Sequence, residues 1–146
     1  MANDRKTTPE HVTSLAANEV FVFGSNKEGQ HWGGAAKFAY DNFGTEWGVG
    51  IGMTGQSYAI PTMDGDLEII RSYVKDFTDY AKAHPERTFL VTPIGCGIAG
   101  WRAEEIAPLF KEASRLDNVS LPESFWNIIE MTAIAAIRRR HSVRRY

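Results

Sequence analysis

The sequence predicts a mixed α/β fold, a largely parallel sheet flanked by helices, and three observations carry that expectation. Short apolar runs rich in strand formers alternate with segments of helical period, the pattern that a sheet with crossover helices requires. All thirteen glycines lie between Gly24 and Gly100, most of them just after a candidate strand. In open α/β sheets the loops at the carboxyl ends of strands build the ligand crevice, so this clustering points to one lined edge. At 146 residues the chain is one domain's worth, long enough to bury roughly two-thirds of the surface it exposes when unfolded.

Residues 1–10 are polar and are expected to be loose. Glu19 to Phe23 reads as the first strand, stopped by Gly24, and a polar loop runs from Gly24 to Gly34 before a helix from Ala35 to Phe43. Five glycines between Gly44 and Gly55 mark that stretch as a loop. Ser57 to Ile60 forms a short strand ended by Pro61. Asp64 or Asp66 can cap the next helix, in which Leu67, Ile70, Val74, Phe77 and Ala81 recur at three- and four-residue steps. Phe89, Leu90 and Val91 form a buried strand that runs into Gly95, Gly97 and Gly100. A helix from Ala103 through Ile106, Phe110 and Ala113 ends near Leu116, with Pro108 kinking it or occupying its first turn. Asn118 to Leu121 is a last short strand, and residues 123–146 form a C-terminal helical extension that runs into arginines.

Composition narrows the classes. Cys96 is the only cysteine, so no internal disulfide forms and no secreted, disulfide-framed scaffold is indicated. The N-terminus lacks an apolar signal region and no apolar run reaches membrane-spanning length, so a cytoplasmic location without membrane contact is expected. The formal charge of −2 hides an asymmetry. Arg138, Arg139, Arg140, Arg144 and Arg145 close the chain, whereas residues 1–137 hold the other 11 Lys/Arg against all 18 Asp/Glu. A terminal tuft of this kind offers nucleic acid only a tail, not a folded basic face. His11, His31, His84 and His141 are scattered, and no cluster has metal-ligand spacing, so neither metal nor cofactor is expected.

Two stretches match G-x-G-x-x-G. Gly50 to Gly55 precedes a strand and so fails the dinucleotide context. Gly95 to Gly100 has a strand before it and a helix after it, but 46 residues cannot complete the dinucleotide unit. It therefore reads as a phosphate-cradling loop on another α/β fold, with backbone amides and a neighbouring helix N-terminus favouring an anion. Gly24 and Gly29 have Walker A spacing, yet Gln30 and His31 stand where Lys and Ser/Thr are needed. Cys96 lacks the flanking glycines of a nucleophile elbow, because Ile94 and Ile98 occupy those places.

Taken together, the two loops resemble the macro domain family. Val22-Phe23-Gly24-Ser25-Asn26 stands where that family has a Val-Asn-Ala-Ala-Asn type segment, and His31-Trp32-Gly33-Gly34-Ala35 follows its His-Gly-Gly-Gly-Val type stretch without a gap. Gly95-Cys96-Gly97-Ile98-Ala99-Gly100-Trp101 resembles its Gly-Thr-Gly-Ile-Tyr-Gly-Tyr loop. The similarity covers roughly residues 19–116 and extends to a set of bacterial and phage proteins with the same glycine loops. It implies a three-layer α/β/α fold that binds ADP-ribose and, in some branches, hydrolyses ADP-ribosyl bonds. Position by position it implies that Asn26 meets the distal ribose, Gly33 and Gly34 let their loop wrap the ligand, and Gly95 to Gly100 hold the diphosphate. Gly24, Ser25, Cys96, Ile98, Ala99 and Trp101 complete the expected binding set.

The departures are specific. Phe23 replaces the first asparagine, Ala99 replaces an aromatic over the distal ribose, and the carboxylate of some hydrolytic members falls at Ala36. The family's early Gly-Asp-Ile-Thr segment is echoed by Glu10-His11-Val12-Thr13. Binding of ADP-ribose or a related nucleotide diphosphate is the first expectation. Hydrolysis of ADP-ribosyl or phosphorylated ribosyl compounds, through Asn26, Glu28, His31 or the Glu104–Glu105 pair, is the second. Contact with nucleic acid, an acidic partner or a second subunit through the arginine-rich tail is the third.

Overall fold

Successive side chains of a strand point to opposite faces, and in β1 (Glu19–Ser25) that alternation sorts the molecule into layers. Val20 and Val22 enter one core with Tyr58, Ile60, Phe89 and Val91; Phe21 and Phe23 enter another with Ala36, Ala39, Phe43 and Ala59. In the computed structural model, which describes residues 5–144 and side chains for residues 5–140, helices cover both faces of a five-stranded sheet. The fold is α/β with a mixed, mostly parallel sheet, consistent with three α/β/α layers.

The strand order is β2 (Gly52–Thr54), β3 (Ser57–Pro61), β1, β4 (Thr88–Val91) and β5 (Val119–Ser120). β1 pairs in parallel with both β3 and β4, β4 pairs in parallel with β5, and only β2 runs antiparallel. Helix α1 (Gly34–Asn42) packs on the Phe21/Phe23 face, and α2 (Leu67–Ala83) packs on the other through Ile70, Val74, Phe77 and Ala81. Asp66 caps α2, its carboxylate accepting the Ile69 N–H at 3.1 Å. Asp64 instead accepts the Lys27 N–H at 2.7 Å, so the two candidate caps divide their work.

Four expectations need correction. The stretch from Gly44 to Gly55 is not all loop, because Gly52–Thr54 forms the edge strand β2, with Thr54 paired to Ser57 across Gly55–Gln56. Gly55 has φ +57, the value a type II′ hairpin turn asks of its first central residue. Three residues are too few for alternation to declare a strand. β1 does not stop at Gly24 but pairs on to Ser25 opposite Pro61. The helix expected over 103–116 is a short α3 (Ala103–Ile106) followed by 3₁₀ turns at Ala107–Phe110 and Ala113–Arg115. Pro108 lacks the N–H that would continue the α-helical ladder.

The fourth correction concerns the N-terminus, where Arg5 to Thr8 are fastened rather than loose. Thr7 bridges Leu121 in parallel, Leu121 N–H donates to the Lys6 carbonyl at 3.0 Å, and Trp126 Nε1 donates to the same carbonyl at 2.8 Å. Arg5 also pairs with Glu130. Residues 1–4 lie outside the described residues. Helix α4 (Glu123–Arg144) buries Phe125 and Trp126 in the core, then runs exposed from Met131 through Arg140, with Ala136 half-buried. Arg145 lies outside the described residues, as does the side chain of Arg144. Among the described residues no helix is long and apolar enough to cross a membrane.

Candidate functional site

β1 and β4 lie side by side, and the chain leaves them toward opposite faces, β1 into α1 and β4 into α3. A crevice opens between such departing loops. Its two walls meet at Gly24: a Cβ there would stand 3.1 Å from the Gly95 nitrogen and 3.0 Å from the Thr62 hydroxyl. Glycine is therefore what allows the two loops to touch.

The first loop is braced from within. Asn26 accepts the Gln30 N–H through Oδ1 at 2.8 Å and donates through Nδ2 to the Gln30 carbonyl at 2.9 Å. Ser25 donates its hydroxyl to the Gly50 carbonyl at 2.5 Å. The segment around Gly48 to Gly50 presses on this loop so closely that a Cβ on Gly50 would lie 2.0 Å from the Asn26 carbonyl oxygen. Among the glycines between Gly44 and Gly55, Gly50 thus serves close packing between loops. In the second loop the Trp101 and Gly100 N–H groups donate to the Gly95 and Gly97 carbonyls at 2.8 and 3.0 Å, and Trp101 Nε1 donates to the Thr62 carbonyl at 2.8 Å.

Several residues that line the crevice leave their backbone amides unpaired. Among the described residues the N–H groups of Gly95, Gly97, Ile98 and Ala99 have no hydrogen-bond acceptor, nor do those of Gly34, Ala35 and Ala36 at the start of α1. Gly33, the N-cap of α1, supplies no side-chain cap. Unpaired amides at a helix N-terminus carry partial positive charge and suit an anion.

Two neighbouring lobes that share lining residues form the cleft. The smaller, about 350 Å³, is lined by Gly24, Ser25, Asn26, Gly33, Gly34, Gly95, Gly97, Ile98 and Ala99, with Thr62, Met63, Trp32 and others completing it. The larger, about 770 Å³, runs along Thr7 to Thr13, Phe21 and Phe38 to the start of α4. Gly34, Ala35, Thr92 and Pro93 line both. Glu10, His11, Val12 and Thr13 all border the larger lobe, which also holds Glu123. Among the described residues no titratable side chain lines the smaller one.

The remaining predicted residues stand elsewhere. Cys96 packs partly buried against the core, and neither Gly100 nor Trp101 is part of the lining. Burial first, then the Glu104 and Glu105 carboxylates, push the Cys96 thiol up, which disfavours the thiolate a nucleophile needs. Glu28 is exposed and is not part of the cleft lining. His31 is 1% exposed among Phe23, Tyr40 and Trp47. Its Nε2 lies 3.1 Å from the Glu46 carbonyl, which can only accept, so Nε2 carries the proton. Nδ1 is buried without a partner. Glu105 accepts the Arg102 N–H at 2.9 Å, an N-terminal helix role. Among the described residues no three His, Cys, Asp or Glu side chains are placed to hold a metal ion.

Sequence reasoning missed Trp32, Thr62, Met63 and Thr92. The last three follow β3 and β4, and the rule that strand exits line the crevice applies to β3 as much as to the glycine loops. Compared with family models, with curated proteins and with solved structures, the chain gives no match in any of the three.

Proposed function

We propose that this protein binds ADP-ribose or a closely related nucleotide diphosphate, with the diphosphate across the smaller lobe and the adenosine in the larger. The observation that carries the reading is that residues of two loops with unpaired backbone amides line one cavity, which among the described residues has no carboxylate in its lining. Amides alone suit a diphosphate, because they donate without needing a counter-charge and the N-terminus of α1 adds its dipole. Glu10 and His11 in the larger lobe supply polar groups for a base or ribose.

Binding is favoured over hydrolysis by the same inventory. General acid, base or nucleophilic work at the diphosphate requires a titratable or activated group within reach. The smaller lobe has none, and Ala36 stands buried at the place where the resemblance would put a carboxylate. Contact through the tail is a separate reading, favoured by the exposed Arg138, Arg139 and Arg140 beyond the packed part of α4. Nucleic-acid retention that weakens steeply with salt and disappears when residues 138–146 are deleted would support it; retention by the shortened chain would refute it.

Titration calorimetry with ADP-ribose tests the main reading. The wild-type chain should give a binding isotherm in the micromolar to millimolar range, and Gly97→Glu should abolish it. A Cβ on Gly97 meets nothing within 4 Å, so the variant adds a negative charge to a residue of the cleft lining without a clash at Cβ. An absence of heat with millimolar ADP-ribose would overturn the proposal.

A further inference from the structure

We infer that the cleft is built for a dinucleotide, two nucleosides joined through a diphosphate, with Trp32 as the platform for the second base. The inference rests on the diphosphate reading above and extends it to the far end of the ligand. An aromatic side chain stands on each side of the seam formed by Gly34, Ala35, Thr92 and Pro93. Phe38 lines the larger lobe, backed by Phe21 and Phe43 at ring distances of 6.3 and 5.5 Å. Trp32 lines the smaller lobe, backed edge-to-face by Trp47 at 4.7 Å, and Trp47 rests in turn on Tyr40 at 5.4 Å.

The state of Trp32 is what calls for a partner. Its side chain is held by the aromatic stack behind it, yet the residue is 73% exposed. Ile98, 74% exposed, comes from the opposite loop to the same lip, its Cδ1 3.6 Å from where a Cβ on Gly33 would stand. Met63, 51% exposed, completes an apolar rim around a floor of backbone amides. A ribose alone would meet the polar floor and leave this rim bare. A flat base attached beyond that ribose would cover it, since bases stack on aromatic faces with little regard to sequence. The order aromatic, amide cradle, aromatic matches the order base, diphosphate, base.

Calorimetry with two probes that differ only in the second base decides the matter. Diadenosine diphosphate should bind the wild-type chain about tenfold or more tighter than ADP-ribose, the gain typical of one stacked base. Trp32→Ala should remove the preference for diadenosine diphosphate, bringing the two probes to similar affinities, and Trp32→Phe should keep most of the preference. Circular dichroism confirms that each variant is folded. Equal affinities for the two probes in the wild-type chain would overturn the inference alone. So would a Trp32→Ala variant that weakens both probes alike, because Trp32 would then be acting on the ribose. Binding of neither probe would remove the diphosphate reading and this one together.

Discussion

Replacing Gly29 by alanine measures how firmly the segment from Gly48 to Gly50 holds the first loop in place. Gly29 has φ +68, a conformation that costs an L-residue about 1–2 kcal/mol. The added methyl would lie 2.4 Å from the Val49 nitrogen and 2.5 Å from the Gly48 carbonyl carbon. Both are backbone atoms, so no side chain can rotate away, and overpacking of this kind adds about 1–3 kcal/mol. The total is about 2–5 kcal/mol, and for a chain of this size the melting temperature should fall on the order of 10 °C. Gly48→Ala is the control. It shares the unfavourable backbone, with φ +92, but its Cβ meets nothing within 4 Å, so it should lose only the conformational part. Differential scanning calorimetry on the two variants reads the difference directly. Equal losses would refute the argument that the two loops are locked by close backbone contact.

Asp66→Ala should lower stability by about 1 kcal/mol through loss of the α2 cap, seen as a shift in the urea midpoint with an unchanged slope; no shift would deny the cap its role. Burial, helped by the charge of Asp76 and by Tyr80, raises the Tyr58 phenol from 10.0 to about 12. The folded protein therefore keeps a proton that the unfolded chain releases above pH 10, so this contribution is complete below that pH and is lost as pH rises through about 12. Tyr58→Phe should flatten that alkaline loss in denaturant titrations, and an unchanged slope against pH would count against it. Cys96, with its thiol pushed up, should alkylate with iodoacetamide near pH 8 more slowly than a free cysteine, and Glu104→Gln with Glu105→Gln should speed it. A rate equal to the free amino acid would contradict the placement of that thiol.

Much of the fold was legible because its signals are local. The spacing of Ile70, Val74, Phe77 and Ala81, the cap at Asp66 and the alternation of Val20, Phe21, Val22 and Phe23 all report on their immediate surroundings. The two glycine loops were legible for a similar reason, and they do come together between β1 and β4. What escaped depends on partners far along the chain. Thr7 acquires strand character only beside Leu121, and Gly52–Thr54 only beside β3. Within the cleft, a motif names consecutive residues, whereas a cavity selects those whose backbone or side chain turns inward. Cys96 and Trp101 belong to the second glycine motif but stand outside the lining, while Thr62 belongs to no motif and lies on it. Glu28 and His31 sit in one loop and still diverge, one toward solvent and the other into an aromatic core.

If unpaired amides of the two loops hold a diphosphate, as proposed, nitrogen-15 amide spectra recorded during a titration with ADP-ribose will report it residue by residue. The resonances of Gly95, Gly97, Ile98 and Ala99, together with Gly34, Ala35 and Ala36, should shift in concert along one binding curve. Inorganic pyrophosphate should move the same set more weakly. Shifts confined to the larger lobe or to α4, with these amides unmoved, would contradict it.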